Sequence, residues 1–118
     1  MQVQIKRARE GAARSDGYRV LVDRMWPRGV SKDTARLDEW ARELAPSDEL
    51  RRWYGHDPDR FDEFKRRYVD ELRGQRDTLS GLRRRARQGQ LTLVVGARDV
   101  EHSNGQVLAD VLRRGLPR

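Results

Sequence analysis

The stretch YRVLVDRMWPRG, residues 18–29, runs a strand pattern directly into a loop that is rich in charged and aromatic side chains. Residues 18–22 carry the β-branched and aromatic side chains typical of a strand that is covered on both faces. Two arginines, a tryptophan and a proline follow within the next few positions. Ligands of open α/β sheets bind in loops beyond the carboxyl ends of the strands. We therefore expect a functional site to begin in this loop.

Other segments of the chain predict further strands and helices. LTLVVGA, residues 91–97, is a continuous apolar run like that of a buried strand, and QVQIKRA, residues 2–8, alternates like a strand nearer a sheet edge. Apolar side chains recur at helical spacing elsewhere and predict helices. The first predicted helix is capped by Ser31 or Asp33 and contains Leu37, Trp40, Ala41 and Leu44. The next two begin at Ser47 and at Asp57–Pro58, and a fourth covers residues 77–88. The last is capped by Ser103 or Asn104 and ended by Gly115.

Alternation of strands and helices predicts a small α/β fold of three layers, in which helices flank a mainly parallel sheet. We expect residues 1–118 to form a single domain, because a chain of this length can bury one core. Parallel strands would bring the loops at 24–31 and 98–103 to the same edge of the sheet. The loop side chains would then approach one another although they are far apart in sequence.

Composition excludes several classes of site. The chain has no cysteine, which removes disulfides, thiolate nucleophiles and cysteine metal sites. No apolar run is long enough to span a bilayer and no secretory leader pattern is present, so we expect a cytoplasmic protein without a membrane partner. Glycine-rich phosphate motifs of the GxGxxG or Walker type are absent, and no other motif identifies a cofactor.

The chain is strongly basic, with a formal net charge of +7. Almost all of this charge comes from arginine, because the only lysines are Lys6, Lys32 and Lys65. Such a charge favours anionic partners. A solvated basic surface is the simpler interpretation, and a surface that binds polyanions is the alternative.

Six side chains in the two loops are the candidates for a site. Arg24, Arg28 and Arg98 could hold an anionic group, because guanidinium groups offer forked donors to phosphate and carboxylate. Trp26 could form a wall of the pocket. Asp99 and His102 are the candidates for proton transfer, if a reaction occurs. The alternative is structural, in that one arginine could pair with Asp23 and fix the loop.

The blocks WPRG, LAPS, HDP and ARD, taken together, resemble the YeaO-like branch of the DUF488 family, whose name denotes a domain of unknown function. The resemblance covers essentially the whole chain. It implies an α/β fold of three layers and no established catalytic activity. Related branches carry a cysteine-containing block after the strand equivalent to residues 91–97, where this chain has Gly96-Ala97-Arg98-Asp99. Thiolate chemistry in those relatives could not be shared by this chain.

Two functions of different classes are therefore predicted. The first is binding of an anionic small ligand, phosphate-bearing or carboxylate, between the two loops. The second is a nucleic-acid-binding module that uses the arginine-rich surface, including Arg83, Arg84, Arg85 and Arg87. Arginines gathered in one concave pocket would favour the first, whereas a broad arginine face with exposed aromatic rings would favour the second.

Overall fold

The computed structural model describes residues 1–117 and contains a parallel four-stranded sheet. Its strands are Gln2–Arg7 (β1), Tyr18–Leu21 (β2), Glu39–Trp40 (β3) and Gln90–Val95 (β4), in the order β1-β4-β2-β3. The predicted α/β class is confirmed, and β1 lies at an edge as its alternating pattern predicted. The two apolar strands, β2 and β4, are direct neighbours, with Val20 opposite Leu93.

Five helices accompany the sheet within residues 1–117: Lys32–Ala35 (α1), Asp48–Tyr54 (α2), Phe61–Leu72 (α3), Arg76–Gln88 (α4) and Asn104–Arg114 (α5). The predicted start of α2 is confirmed, because the Ser47 side chain accepts a hydrogen bond from the Leu50 N–H. Gly74 lies in a short 3₁₀ turn, Arg73–Gln75, which separates α3 from α4. No helix in this part of the chain is long and apolar enough to cross a membrane.

The predicted helix containing Leu37, Trp40, Ala41 and Leu44 is wrong. Helix α1 begins after Ser31 as predicted, but it ends at Ala35, and the next residue adopts a left-handed conformation. The chain then pairs with the free edge of β2 as β3, where the Ala41 N–H donates to the Leu21 carbonyl over 2.9 Å. Hydrogen bonding to an exposed strand edge has thus overridden helical spacing, which is a weak guide over so few residues.

The helices α3, α4 and α5 pack on one face of the sheet, here called the helical face, and form the larger core. The opposite face has a thinner cover, made by the loop after β2 and by α1. The smaller core there contains Ala8, Leu21, Val30, Ala35 and Val94, with Trp26, Leu37 and Trp40 packed against them. The third layer of the fold is therefore mostly loop, which explains why its sequence contains no long amphipathic pattern.

Buried charges occupy the other end of this second face. Asp16, which is only 1% exposed, lies among the side chains of Lys6 and Arg19. Its carboxylate also accepts the Ala13 N–H over 2.9 Å. Burial disfavours the charged form of Asp16, but the hydrogen bonds from Ala13, Lys6 and Arg19 outweigh it and lower the pKa of the carboxyl. Ionised Asp16 therefore fastens the segment before β2 to strands β1 and β2.

Candidate anion site

The two loops singled out in the sequence leave neighbouring strands and turn to opposite faces of the sheet. The loop after β2 covers the second face, whereas the segment after β4 leads into α5 on the helical face. Adjacent parallel strands with diverging connections leave a crevice at their carboxyl ends. A cavity of about 180 Å³ lies in this crevice. The prediction that both loops emerge at one edge is confirmed.

Residues from both strand ends and from three helical segments line the cavity. The wall combines charged groups, hydrogen-bonding groups and an aromatic floor, which is the usual make-up of a small-molecule site. The lining residues are Asp23, Arg24 and Met25 after β2, Gly96 and Ala97 after β4, Ser103 and Asn104 at the start of α5, Pro46, Arg51, Tyr54 and His56 in or beside α2, and Phe64 of α3.

Asp23 occupies the gap between the ends of β2 and β4. Its Oδ2 accepts the Gly96 N–H over 2.7 Å, and its Oδ1 accepts the Asn104 side-chain amide over a long 3.3 Å. Burial raises the pKa of Asp23, although these two donors and the charges of His56 and Arg51 act in the opposite direction. A Cβ atom at Gly96 would lie 3.1 Å from the same carboxylate. Glycine therefore lets the backbone approach Asp23 closely.

Arg24 and Arg51 converge on one carboxylate oxygen at the outer wall. Asp48 Oδ1 lies 3.2 Å from Arg51 Nη2 and 3.6 Å from Arg24 Nε. The Arg24 Nε also donates to the Pro46 carbonyl over 3.4 Å, and Arg51 Nη1 lies 3.3 Å from the Met25 sulfur. Asp48 is half exposed, so this carboxylate could be replaced by an anion from solution.

Tyr54 and His56 complete the side of the cavity formed by α2. The Tyr54 hydroxyl donates to the His102 carbonyl over 2.5 Å, and its ring stacks on Phe64 with a centroid distance of 4.2 Å. Burial and the charges of Asp99 and Asp57 raise the pKa of Tyr54 to about 12, so the phenol stays neutral. His56 has a positive φ of 56°, which is uncommon for a residue other than glycine and often occurs at functional sites.

Arg24 is the one predicted ligand-binding residue that lines the cavity. Trp26 lies beneath the loop, where its Nε1 donates to the Val30 carbonyl over 2.6 Å and its ring meets Trp40 edge-on. It thereby supports the shape of the loop. Arg28 and Arg98 are exposed and are not part of the cavity wall. Their participation in a site stays a prediction, because both lie in the loops that border the crevice.

Asp99 and His102 form a pair beside the cavity. The Asp99 carboxylate accepts the backbone N–H of His102 and contacts its Nδ1 at 2.7 Å. The His102 ring is also held edge-on against Phe61, at a centroid distance of 5.2 Å. An aspartate that contacts Nδ1 fixes the orientation of the imidazole. Neither side chain lines the cavity, and their predicted role in proton transfer stays a prediction.

The most informative residues missed in the sequence are Arg51, Asp48 and Asn104. No local sequence pattern distinguishes Arg51 from the many other arginines, because its place in the cavity depends on how α2 packs beside the strand ends. For Asn104, the sequence predicts only a possible role as a helix cap. Its Nδ2 instead reaches back to the Val22 carbonyl over 2.9 Å and to Asp23. The sequence feature that could have indicated this role of Asn104 is an amide side chain directly after the loop that follows a strand.

Comparison with known proteins identifies the family and several relatives of this chain. A family model described as the inactive DUF488-N3 subclade matches residues 2–118. The uncharacterized protein Rv3073c of Mycobacterium tuberculosis is 44% identical over 111 residues, which cover 94% of this chain and 93% of that protein. The uncharacterized protein YeaO of Escherichia coli is 40% identical over 113 residues, covering 96% of this chain and 98% of YeaO. No solved structure matches the chain. This chain therefore belongs to the DUF488 family, in its YeaO-like branch.

Proposed function

We propose that the cavity at the carboxyl ends of β2 and β4 binds a small anionic ligand. The observation that carries this proposal is the convergence of Arg24 and Arg51 on a single oxygen of Asp48. Two guanidinium groups that share one carboxylate oxygen are already arranged for an oxyanion. Asp48 occupies that position from the protein itself, and a ligand carboxylate or phosphate would take its place or bind beside it.

Binding without turnover agrees best with the family to which the chain belongs. The matching subclade is described as inactive, and the chain offers no cysteine for thiolate chemistry. The size of the cavity favours a small ligand, since a cavity of about 150 Å³ accommodates a single benzene ring. A volume of about 180 Å³ therefore suits a molecule of one small ring or a short carbon chain.

The arginine-rich surface gives less support to a nucleic-acid-binding module. All tryptophan, tyrosine and phenylalanine side chains within residues 1–117 are buried or half buried. Two faces that bases could stack on already carry an arginine, because Arg42 lies 3.7 Å from the centroid of the Trp40 ring and Arg67 lies 4.3 Å from that of Trp53. Stacking of bases on these rings would have to displace those guanidinium groups.

Within the arginine run of α4, two side chains already have structural contacts. Arg83 donates to the Val111 carbonyl over 2.9 Å near the end of α5, and Arg85 lies over the Tyr18 ring. Arg84, Arg85 and Arg87 are all exposed, but only Arg84 and Arg87 have no such contact within residues 1–117. A surface that bound nucleic acid by charge alone would use these two, and its affinity would fall steeply with salt.

Thermal unfolding with a panel of small anions tests the proposed function. Acetate, phosphate, sulfate, short dicarboxylates, nucleotides and short DNA and RNA are compared with sodium chloride at equal ionic strength. A ligand at 100 times its dissociation constant stabilises the native state by about 2.7 kcal/mol, which corresponds to a rise of roughly 10 °C for a domain of this size. We expect a small anion to produce such a rise in the wild type.

Arg51→Gln should abolish this rise, whereas Arg52→Gln should preserve it. Arg52 is the adjacent exposed arginine and does not line the cavity, so the two variants lose the same charge from the same helix. Equal responses of both variants would contradict the proposed site. Stabilisation by polynucleotides alone, lost in Arg84→Gln and retained in Arg51→Gln, would instead establish the basic surface as the site.

Asp48→Asn should bind the stabilising anion more tightly than the wild type. The substitution removes the carboxylate that competes for Arg24 and Arg51 while keeping the shape of the side chain. An exposed ion pair contributes about 0.2–1 kcal/mol, so the dissociation constant should fall by roughly 1.4- to fivefold. Glu49→Gln is the matched control, because it makes the same change of charge at the next position of α2. If isothermal titration calorimetry gave the same gain for both variants, general electrostatics would account for it.

A further inference from the structure

The Asp23 carboxylate has unused hydrogen-bonding capacity on the cavity wall. An ionised carboxylate offers about four acceptor positions. The Gly96 N–H and the Asn104 amide fill two of them, and the second of these bonds is long at 3.3 Å. Within residues 1–117, Asp23 forms no ion pair, because the arginines of the same cavity pair with Asp48 instead. The wall therefore contains a carboxylate that has no cation in direct contact, although the charges of His56 and Arg51 act on it from a greater distance.

Positive and negative groups of the cavity are held by different elements. Asp23 is fastened to the sheet side, through Gly96 after β4 and Asn104 at the start of α5. The guanidinium groups are fastened to the α2 side, through Asp48 and the Pro46 carbonyl. A simple anion would contact only the guanidinium groups on the α2 side and would leave the Asp23 carboxylate without a cation in direct contact.

We propose that the ligand of this cavity is a small zwitterion of amino-acid size, whose carboxylate contacts Arg51 and Arg24 and whose ammonium group contacts Asp23. This inference rests on the proposed function, because it assigns the anionic end of the ligand to the same arginines. A cavity of about 180 Å³ accommodates a molecule of this size. Complementary charges at both ends would also make the site selective, since an analogue that lacked one charge would leave a desolvated protein group unpaired.

The direction of the Asp23 pKa agrees with a missing cation. Burial raises this pKa in the ligand-free protein and outweighs the opposite effect of the His56 and Arg51 charges, so the ionised carboxyl is disfavoured there. An ammonium group at hydrogen-bonding distance would favour the ionised form. Such a charge-assisted hydrogen bond is among the stronger polar contacts in proteins.

Matched ligands that differ in a single charged group test this inference. The common amino acids are compared, by isothermal titration calorimetry on the full chain, with the acid that lacks the amino group and the amine that lacks the carboxylate. L-Alanine, propionate and ethylamine form one such set. We expect at least one amino acid to bind about tenfold or more tightly than its acid, because a hydrogen bond between charged groups contributes at least that factor.

Asp23→Asn should remove the preference for the amino acid over its acid while retaining binding of the acid itself. Glu49→Gln, which makes the same change of charge on the exposed face of α2, should leave the preference intact. The wild type gives a second readout that does not depend on a variant folding. The backbone amide of Gly96, which donates to Asp23 Oδ2, should shift in the NMR spectrum with the amino acid and much less with the acid.

The outcomes separate this inference from the proposed function. Equal affinity for amino acid and acid would overturn the zwitterion and leave anion binding intact. Tighter binding of the amine alone, unaffected by Arg51→Gln, would overturn the role of the arginines. Binding of none of these ligands, nor of any small anion, would overturn both.

Discussion

Asp16→Ala is expected to lower the free energy of unfolding by about 3–5 kcal/mol, the usual effect of removing one partner from a buried ion pair. Arg19 is only 3% exposed, and its Nη1 lies 2.6 Å from Asp16 Oδ2. Without Asp16, the guanidinium would remain buried beside Lys6 and would lose the one ion pair that it forms within residues 1–117. The Ala13 N–H would lose its acceptor as well. Urea denaturation at pH 7 measures the loss, and Asp33→Asn on the exposed surface of α1 is the control.

The pH dependence of stability distinguishes the charge of Asp16 from its shape. The folded-state pKa is lowered relative to the ordinary value of 3.8, so the native state favours the ionised carboxylate. Its contribution is therefore fully present well above that value and is lost as the pH falls through it towards the folded-state pKa. We expect the stability gap between wild type and Asp16→Asn to be large at pH 7 and to shrink below pH ~4. A gap that stayed constant down to pH ~3 would contradict an electrostatic role.

Gly17→Ala is the second substitution with a large expected effect. Gly17 precedes β2 with a φ of 63° and a ψ of −129°, a backbone conformation that disfavours side chains. An added Cβ would lie 2.2 Å from the Gln90 carbonyl oxygen at the start of β4. Because that atom belongs to the backbone, only separation of the β2 and β4 ends would relieve the overlap. We expect a loss above about 4 kcal/mol, a large part of the stability of an ordinary domain.

Gly11→Ala separates the two causes of that loss. Gly11 also has a positive φ, of 78°, but nothing lies within 4 Å of an added Cβ. It should lose only the cost of the unfavourable backbone conformation, about 1–3 kcal/mol. Thermal unfolding of both variants measures the difference. Losses of similar size would show that backbone conformation alone determines the effect at Gly17.

Much of the fold followed from two strong local patterns. The apolar runs of β2 and β4 bury both faces, so each was recognisable without knowledge of its neighbours. Their parallel arrangement then placed the following loops at one edge. The short strand β3 carries no such pattern, because two residues cannot show a period, and its pairing depends on the free edge of β2. The burial of Arg19 could not be predicted from the sequence either, because a buried arginine in a strand is stable only through partners on other segments.

The location of the candidate site could be predicted from the sequence, but only some of the residues that form it could. Asp23 and Arg24 follow a buried strand directly, so their position at the sheet edge followed from the topology. Trp26 follows the same strand, yet it packs beneath the loop, because the second face of the sheet has no long helix to cover it. Arg51 reaches the cavity from α2, and its approach depends on the packing of α2 against α3 and the strand ends, which no local pattern encodes.

Backbone amide chemical-shift mapping most directly tests whether the cavity is the binding site. The isotope-labelled protein is titrated separately with acetate, phosphate and L-alanine, with sodium chloride at equal ionic strength as the control. We predict that at least one of these ligands shifts the amides of Gly96, Ala97 and Asn104, at the ends of β4 and the start of α5. Shifts confined to the arginine face of α4, or shifts no larger than those produced by sodium chloride, would contradict a binding site between β2 and β4.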